Sequence, residues 1–387
     1  MILAHKIQLD PTCKQAEAFR KACGVARYTW NWALDQWNTT YMETGKSINL
    51  RVLKKQWNKD KPGWTRDSPK DANQQPFTNL NKAWGNFFAK RSRKPNFKSK
   101  HRGKPSFYVS NDQFAVEGNH VRLPKIGWVR MTEELRFSGK VMSGTVSERA
   151  GRWYLSITTE TAVTPEHGDE VIGIDFGLKT FMTLSTGEKI DAPEPLKKGL
   201  VLLQRRSRQH SRKIKGSVNR RKSGSRLART HKRISDRRQD FIHKETSKLI
   251  ARTKLLVIED LSLVGMKKRW GRKVSDLGIA ETIRQLKYKC EMNDCGLLQV
   301  DRWFPSSQLC SCCGSRQKLT LGQRVYDCQN CDNVIDRDVN AANNLYTAGL
   351  AGINAWGHEG SDYKHLFVVK PSWMNQELNP YSPVSTR

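Results

Sequence analysis

The sequence predicts a protein of the α/β class that also contains an all-β part and a helical part. Two observations lead to this fold class. A hairpin pattern that begins near residue 171 is followed by alternating helix and strand patterns, and acidic residues stand where the buried strands end. Four cysteines in ribbon spacing then interrupt the alternation before the last helix. Together these features predict an RNase H-like mixed sheet with a zinc-ribbon insertion.

The amino-terminal part predicts the other two kinds of structure. Residues 1–10 alternate like a strand, and a helical region with a capped start follows over 11–95. Short alternating segments separated by glycine and polar turns over 96–165 predict a small antiparallel barrel or sheet. At the junction lies a stretch rich in arginine, lysine and proline, for which a solvated linker is the alternative to a loop on nucleic acid. Its candidate nucleic-acid-binding residues are Arg93, Lys94, Lys98 and Lys100.

Two buried-strand patterns each end on an acidic residue. Residues 171–174 lead into Asp175, and residues 255–258 lead into Glu259. A carboxylate at such a position needs a metal ion or a strong partner. Asp175-Phe176-Gly177 also matches the metal-binding motif of protein kinases, but the other kinase motifs do not accompany it. For Glu259, the alternative is that it or Asp260 merely caps the following turn.

The start of the last predicted helix supplies two candidates for a third carboxylate, Asp336 and Asp338. We expect Asp338 to be the ligand, because the small residues over 340–342 would let this helix pack against the first strand. Asp336 is better placed to position the ribbon or to hold a metal-bound water. Three carboxylates without a histidine nucleophile predict a pair of Mg²⁺ ions about 4 Å apart and phosphodiester hydrolysis.

The cysteines predict a tetrahedral zinc site. Cys310 and Cys313 form one pair, and Cys328 and Cys331 form the other. Cys312 is a competing thiol beside the first pair. The chain has nine cysteines, an odd number, which favours a reducing compartment over a disulfide framework.

The charge of the chain predicts a polyanionic partner, because its formal net charge is +31. Between Lys197 and Lys248 there are 19 lysines and arginines against three acidic residues, which predicts a pair of basic helices on a nucleic-acid backbone rather than a solvated surface. A basic loop is expected over 267–273. The candidate nucleic-acid-binding residues of this part are Arg205, Arg206, Arg220, Arg221, Arg237, Lys267, Lys268 and Arg269.

A membrane partner is not expected. No apolar run approaches the roughly 20 residues of a spanning helix, and the first residues lack a signal-peptide core. These observations predict a cytoplasmic protein.

Several motifs resemble the TnpB proteins encoded by insertion sequences, also called OrfB transposases, which are similar to the RuvC nuclease half of type V CRISPR effectors. In the nuclease part the motifs are Gly173-Ile174-Asp175-Phe176-Gly177-Leu178-Lys179, Ile258-Glu259-Asp260-Leu261, Phe304-Pro305-Ser306-Ser307-Gln308 before the four cysteines, and Asp336-Arg337-Asp338-Val339-Asn340-Ala341-Ala342. Nearer the amino terminus they are Asp10-Pro11-Thr12, Tyr28-Thr29-Trp30-Asn31 and Pro95-Asn96-Phe97-Lys98-Ser99-Lys100. The resemblance therefore covers nearly the whole chain.

The resemblance implies an RNA-guided DNA endonuclease whose partners are a double-stranded DNA target and a guide RNA transcribed near the gene. Asp175, Glu259 and Asp338 would be the catalytic acids that hold magnesium, and the paired cysteines would hold structural zinc. The implied domains are a wedge-type β-barrel over 1–10 and 96–165, a helical recognition region over 11–95, a RuvC-like nuclease domain over 166–300 completed by 334–357, and a zinc ribbon over 301–333. We expect the tail over 358–387 to be disordered.

Three other functions remain open from the sequence. A protein-only transposase or recombinase of RNase H-like fold would carry the same acids and zinc but would bind transposon ends without RNA. A nuclease-inactive, RNA-guided DNA-binding protein would carry RNA and leave DNA intact. A plain zinc-ribbon binding module would tolerate loss of Asp175 and Glu259 together, and it leaves both buried acids unexplained.

Overall fold

The computed structural model describes residues 1–100, 103–162, 164–320, 322–354 and 366–369. The chain divides into two compact units, Met1–Ala162 and Val163–Arg387. Each unit has hydrophobic cores of its own. No helix within the described ranges is long and apolar enough to cross a membrane.

The first unit combines helices with an antiparallel sheet. Its helices are α1 (Cys13–Thr44), α2 (Leu50–Asp60) and α3 (Lys70–Phe88). Its strands are β1 (Ile2–Asp10), β2 (Ser106–Ser110), β3 (Ala115–Glu117), β4 (His120–Leu123), β5 (Gly127–Met131), β6 (Lys140–Arg149) and β7 (Arg152–Glu160). Short 3₁₀ turns lie at Gly63–Thr65 and Asn111–Gln113.

The first helix begins where the sequence predicts. The Thr12 side chain accepts a hydrogen bond from the Gln15 backbone N–H, and the Gln15 side chain accepts one from the Thr12 backbone N–H. This capping box satisfies two backbone donors that the helix itself leaves unpaired.

The seven strands form one sheet in the order β2-β6-β7-β1-β5-β4-β3. The first strand lies at its centre and pairs with both β7 and β5. Buried side chains from the sheet, such as Ile7 and Leu155, share a core with Phe19 of α1. A second core, rich in tryptophan, joins the three helices and contains Trp37, Trp57 and Trp84.

The second unit contains a mixed sheet and most of the basic residues. Its strands are β8 (Glu170–Asp175), β9 (Met182–Leu184), β10 (Lys189–Ile190), β11 (Thr253–Glu259), β12 (Gly296–Val300), β13 (Val325–Asp327), β14 (Val334–Asp336) and β15 (Leu366–Val369). Its helices are α4 (Pro195–Ser211), α5 (Val218–Arg252), α6 (Leu263–Leu277), α7 (Ile279–Asn293) and α8 (Arg337–Asn354).

Six of these strands form the sheet, in the order β10-β9-β8-β11-β12-β15. The three central strands β8, β11 and β12 are parallel, and β9 returns antiparallel beside β8 as the hairpin pattern predicts. Because parallel strands share their carboxyl ends, residues that end β8 and β11 lie at one edge of the sheet. The remaining strands, β13 and β14, pair with each other in the cysteine-rich segment.

Two expectations need correction. Leu366–Val369 lies in the expected disordered tail but forms β15, which pairs antiparallel with β12, so the edge of the sheet gains hydrogen bonds. The rest of the tail lies outside the described residues. The expected basic loop over 267–273 is part of helix α6, because Leu263, Val274 and other apolar residues at helical spacing pack inward. The helical geometry is interrupted only at Trp270 within α6.

Candidate functional site

Two of the predicted acids lie at the same edge of the mixed sheet. Asp175 is the last residue of β8, and Glu259 is the last residue of β11. The two strands pair in parallel with Ile174 beside Ile258, so the acids that follow these residues are neighbours across the ladder. Both side chains are only partly buried.

The third acid comes from the first turn of α8, which packs directly on β8. A Cβ atom at Gly173 would lie 2.2 Å from the Ala342 carbonyl oxygen, so only glycine allows this approach. Farther along, Gly349 of the same helix lies against Val257 of β11. This close crossing brings Asp338 within electrostatic reach of Asp175.

Burial and a neighbouring carboxylate destabilise the charged forms of Asp175 and Glu259. Burial, followed by the neighbouring Asp338 carboxylate, raises the pKa of Asp175 to about 7. Burial, followed by Asp175 and Asp260, raises the pKa of Glu259 to about 7. Within the described residues, neither the Asp175 nor the Glu259 carboxylate receives a hydrogen bond that would offset these costs. Carboxylate oxygens are the ligand type that hard divalent cations prefer, but within the described residues these three acids are not gathered closely enough to be the ligands of one ion.

Asp336 has a different role from Asp338. Its Oδ1 accepts hydrogen bonds from the backbone N–H groups of Asp338 (3.0 Å) and Val339 (3.2 Å), and its Oδ2 accepts one from Lys189 Nζ at 2.7 Å. Although burial opposes the change, the bond from Lys189 and the backbone donors lower the pKa of Asp336. Asp336 therefore caps the helix and holds it to β10, and Asp338 is left facing Asp175.

Asp260 is also accounted for. Its side chain accepts hydrogen bonds from Gln299 Nε2 at 3.0 Å and from Arg302 Nε at 2.9 Å, and its N–H donates to the Val300 carbonyl. Among the described residues, these contacts make Asp260 the residue that ties β11 to the segment after β12. They leave the neighbouring Glu259 carboxylate without a capping role.

The four predicted cysteines come together. The sulfur atoms of Cys310, Cys313, Cys328 and Cys331 all lie within 4.8 Å of one another. In the described part of the chain, this is the one group of three or more cysteine, histidine or acidic ligands gathered closely enough for a single metal ion. Cys312 is exposed and lies outside the group.

Polar groups lie around the cysteines, and those beside Cys313 favour its thiolate form. Hydrogen bonds from the Ser315 side chain and backbone lower the pKa of Cys313 to about 5. Asn330 N–H lies 3.4 Å from the Cys328 sulfur, and Asn333 Nδ2 lies 3.5 Å from the Cys310 sulfur. A four-thiolate set with such donors around it fits zinc.

Two buried asparagines of α8, which sequence reasoning missed, join the cysteine cluster to the helix of Asp338. Asn340 Nδ2 donates to the Leu309 carbonyl at 2.6 Å, and Asn340 Oδ1 accepts from the Ser311 N–H at 2.9 Å. Asn344 Nδ2 donates to the carbonyls of Ser306 (2.7 Å) and Leu309 (2.8 Å). The two asparagines are four residues apart on a helix with small neighbours. This spacing could have identified them in the sequence, because it places two polar groups on one buried face, where they need hydrogen-bond partners.

The predicted nucleic-acid-binding arginines of α4 and α5 divide into two groups. Arg206 binds Thr230 Oγ1 and the Arg226 carbonyl, and Arg220 binds the carbonyls of His210 and Lys213, so both hold parts of the protein together. The other candidates of the second unit are exposed on helices: Arg205, Arg221, Arg237, Lys267, Lys268 and Arg269.

In the first unit the predicted basic loop is fastened to α1. Asn31 accepts a hydrogen bond from the Lys98 N–H at 2.7 Å and donates one to its carbonyl at 3.0 Å. Trp30 Nε1 donates to the Asn96 carbonyl at 3.0 Å, and the Lys98 ammonium lies 3.8 Å from the centre of the Trp30 ring. Arg93, Lys94 and Lys100 are exposed on either side of this anchor.

Three family models match the chain. The model described as "Probable transposase" matches residues 154–269, "Cas12f1-like, TNB domain" matches residues 280–345, and "Helix-turn-helix domain" matches residues 1–46. The second match spans the cysteine cluster and the start of α8, and the first contains Asp175 and Glu259.

Whole proteins also match. A Streptomyces pristinaespiralis protein named "Putative RNA-guided DNA endonuclease" is 36% identical over 366 residues, which cover 90% of this chain and 89% of that protein. InsQ of Escherichia coli K12, which bears the same name, is 33% identical and covers 90% of this chain and 92% of InsQ.

The fold is similar to that of the protein in the Cas12f1-sgRNA-target DNA complex, with a TM-score of 0.54 and 14% identity, covering 87% of this chain and 83% of that chain. The two relatives are similar to this chain over nearly their full lengths, at more than 30% identity. The chain therefore belongs to the TnpB (OrfB) family of RNA-guided, RuvC-like nucleases encoded by insertion sequences, which is related to the type V CRISPR effectors.

Proposed function

We propose that this protein is an RNA-guided DNA endonuclease associated with a transposable element, and that it hydrolyses DNA phosphodiesters at Asp175, Glu259 and Asp338. The observation that carries this proposal is the group of three neighbouring carboxylates, in which burial and a nearby carboxylate raise the pKa values of Asp175 and Glu259. A fold gains nothing in stability from this arrangement, and such perturbed groups are typical of functional sites. The relatives named as RNA-guided DNA endonucleases support the choice of substrate.

The three carboxylates would hold Mg²⁺ through their oxygen atoms. When bound, a pair of such ions supplies an activated water and stabilises the leaving 3′ oxygen. The role of the chain is to fix the ligands: the ends of β8 and β11 set the positions of Asp175 and Glu259. Asp336 and Lys189 fix the first turn of α8, which carries Asp338.

The parts of the chain would divide the work as follows. The mixed sheet and α8 (166–300 and 334–357) would form an RNase H-like, RuvC-type nuclease domain, and the cysteine cluster (301–333) would be a zinc ribbon. The seven-stranded sheet (1–10 and 96–165) would be the wedge domain, and the helices within 11–95 would be the recognition region. Exposed cations of α4, α5, α6 and the basic loop would bind nucleic-acid backbone, while base pairing with the guide would select the DNA sequence.

The first experiment is to express the gene with its native flanking DNA, purify the protein in moderate salt and sequence the RNA that copurifies. We expect one abundant RNA with a constant part and an end that matches DNA beyond the gene. DNA matching that end should then be cut in the presence of Mg²⁺. Heterogeneous RNA or none, together with specific binding to the ends of the element, would instead identify a protein-only transposase.

Substitution of Asp175 by asparagine tests the site. It removes one ligand and several kcal/mol of transition-state stabilisation, so cleavage should fall about a thousandfold or more. The amount of copurified RNA should not change, because no exposed cation is altered. Asp191→Asn is the matched control, since this acid is exposed and lies outside the strand ends, and its cleavage rate should equal that of the wild type. Undiminished cleavage by Asp175→Asn would refute the assignment.

A further inference from the structure

Trp303 is an exposed aromatic side chain beside the carboxylate edge of the mixed sheet. Its side chain is 84% exposed, the largest fraction for any aromatic residue in the described parts of the chain. It follows β12, whose last residue, Val300, pairs with Glu259. Three residues span at most about 11 Å, and neighbouring strands are about 4.8 Å apart, so the Cα atoms of Trp303 and Glu259 lie within about 16 Å of each other.

The backbone on both sides of Trp303 is firmly held. Arg302 donates to the Asp260 carboxylate, and the Trp303 N–H donates to Asp301 Oδ1 at 2.8 Å. Phe304 packs against the hydrophobic core under β11 and β12, and the Ser306 carbonyl accepts from Asn344 at 2.7 Å. The indole is therefore presented to solvent by a fixed turn and is not the tip of a loose loop.

The charges around this edge suit a nucleic-acid strand. Arg337 is the neighbour of Asp338 in the first turn of α8. Arg324 Nη1 lies 3.9 Å from the Asp338 carboxylate. These cations flank the acids and would attract phosphates, while an indole offers a π-face on which any unpaired base can stack.

We propose that Trp303 is a stacking platform for an unpaired base of the DNA strand whose phosphate lies at the three carboxylates. Even in a stacked strand, with 3.4 Å per nucleotide, the 16 Å limit corresponds to about five nucleotides. The platform would hold the strand in single-stranded form beside the acids and would tolerate any base, which suits an enzyme that takes its sequence specificity from a guide. This inference rests on the proposed function.

The test uses the ribonucleoprotein as purified, with Asp175→Asn added to prevent cleavage. The probe is a single-stranded DNA oligonucleotide that carries 2-aminopurine, whose fluorescence is quenched when it stacks. Trp303→Ala and Trp303→Leu should weaken binding about tenfold and abolish the quenching that the tryptophan causes. Trp303→Phe should retain most of the binding. The dependence of affinity on salt should be the same in all of them, because no phosphate contact is removed.

Trp128→Ala is the matched control. This tryptophan is 42% exposed, so its loss removes an exposed indole of the same kind but should leave the quenching caused by Trp303 unchanged. Wild-type affinity and quenching in Trp303→Ala would overturn the proposal, as would equal losses in the phenylalanine and leucine variants. Unchanged DNA binding together with a change from dimer to monomer in light scattering would overturn it in favour of contact with a second copy of the chain.

The outcomes for Trp303 and for the proposed function can be told apart. Guided cleavage by the protein with intact Asp175, combined with normal DNA binding by Trp303→Ala, would support the endonuclease proposal and refute the stacking platform. Loss of quenching in Trp303→Ala, combined with no guided cleavage by the wild type, would support the stacking platform and refute the endonuclease proposal.

Discussion

Replacing Asn340 by alanine should loosen the cysteine cluster from helix α8. The Asn340 side chain is fully buried and bonds two backbone groups, the Ser311 N–H and the Leu309 carbonyl. Among the described residues, the Leu309 carbonyl keeps a second donor, Asn344, after the substitution. The Ser311 N–H keeps no acceptor in that part of the chain.

The expected loss of stability follows from the different fates of the Ser311 N–H and the Leu309 carbonyl. Orphaning the Ser311 N–H costs about 1–3 kcal/mol, and losing one of the two bonds to Leu309 costs about 0.5–1.5 kcal/mol. Asn340→Ala should therefore destabilise the second unit by about 1.5–4.5 kcal/mol. Asn340→Asp has nearly the same shape but cannot donate to the Leu309 carbonyl, and it adds a buried charge. It should be destabilised at least as much, which would show that hydrogen bonding rather than lost volume is responsible.

The assay is denaturant unfolding of the zinc-loaded protein, with a colorimetric chelator to report metal release. Asn340→Ala should unfold and release metal at lower denaturant concentration than the wild type. Asn343→Ala is the matched control, because this neighbouring asparagine makes no side-chain hydrogen bond within the described residues. Equal midpoints for Asn340→Ala and Asn343→Ala would refute the reasoning.

Four further predictions concern the same unit. Removal of zinc by a zinc-selective chelator should abolish cleavage in the presence of excess Mg²⁺, and so should Cys313→Ser. Cys312→Ser should have no effect, because Cys312 is exposed and lies outside the cluster. Cleavage by the zinc-free protein would contradict a structural role for the ribbon. Lys189→Met should reduce cleavage about 10- to 100-fold, because Asp336 loses its hydrogen bond from Lys189. Lys189→Arg should recover part of the rate. Equal cleavage rates in the wild type and both variants would count against this positioning role. Asp276→Ala removes the partner of the Arg238 guanidinium and the acceptor of the Leu196 and Lys197 N–H groups. Calorimetry should therefore show a decrease of about 3–5 kcal/mol in the free energy of unfolding. A decrease below about 1 kcal/mol would refute this role of Asp276. Burial lowers the pKa of Lys289 to about 8, so between pH 8 and 10.5 the unfolded chain binds more protons than the folded chain, and the free energy of unfolding should rise with pH. Lys289→Met should flatten this dependence of stability on pH. An unchanged slope in the variant would exclude Lys289 as its source.

The sequence was a good guide where one local pattern carries the chemistry. Two acids that end buried strands and two cysteine pairs at ribbon spacing could be predicted from a few residues each, because strand period and ligand spacing are short-range properties. The structure brings the four cysteines together and sets Asp175 beside Glu259 and Asp338. Their catalytic and metal-binding roles stay predictions.

Contacts between distant residues could not be predicted in this way. Lys189 and Asp336 are 147 positions apart, and Asn340 and Ser311 are 29 apart. Trp30 and Asn31 belong to one family-like motif and Lys98 to another, and only the fold shows that the second is bound to the first. The intramolecular contacts of two predicted nucleic-acid-binding arginines could not be predicted for the same reason. The Arg206 and Arg220 guanidinium groups bind oxygen atoms of α4, α5 and the turn between them, and their contact with nucleic acid stays a prediction.

The arrangement of α8 explains why the cysteine cluster lies in the chain just before this helix. The first turn of α8 carries Asp338, whose position is fixed on one side by the Asp336 cap and the Gly173 crossing. Two and six residues after Asp338, Asn340 and Asn344 form hydrogen bonds with the backbone that leads into the cysteines. A shift of the ribbon would therefore act on the helix close to the acid, and carboxylates that repel one another need such restraint to stay together. Metal binding by the cysteines would stabilise this geometry, and zinc would then support catalysis without touching the DNA.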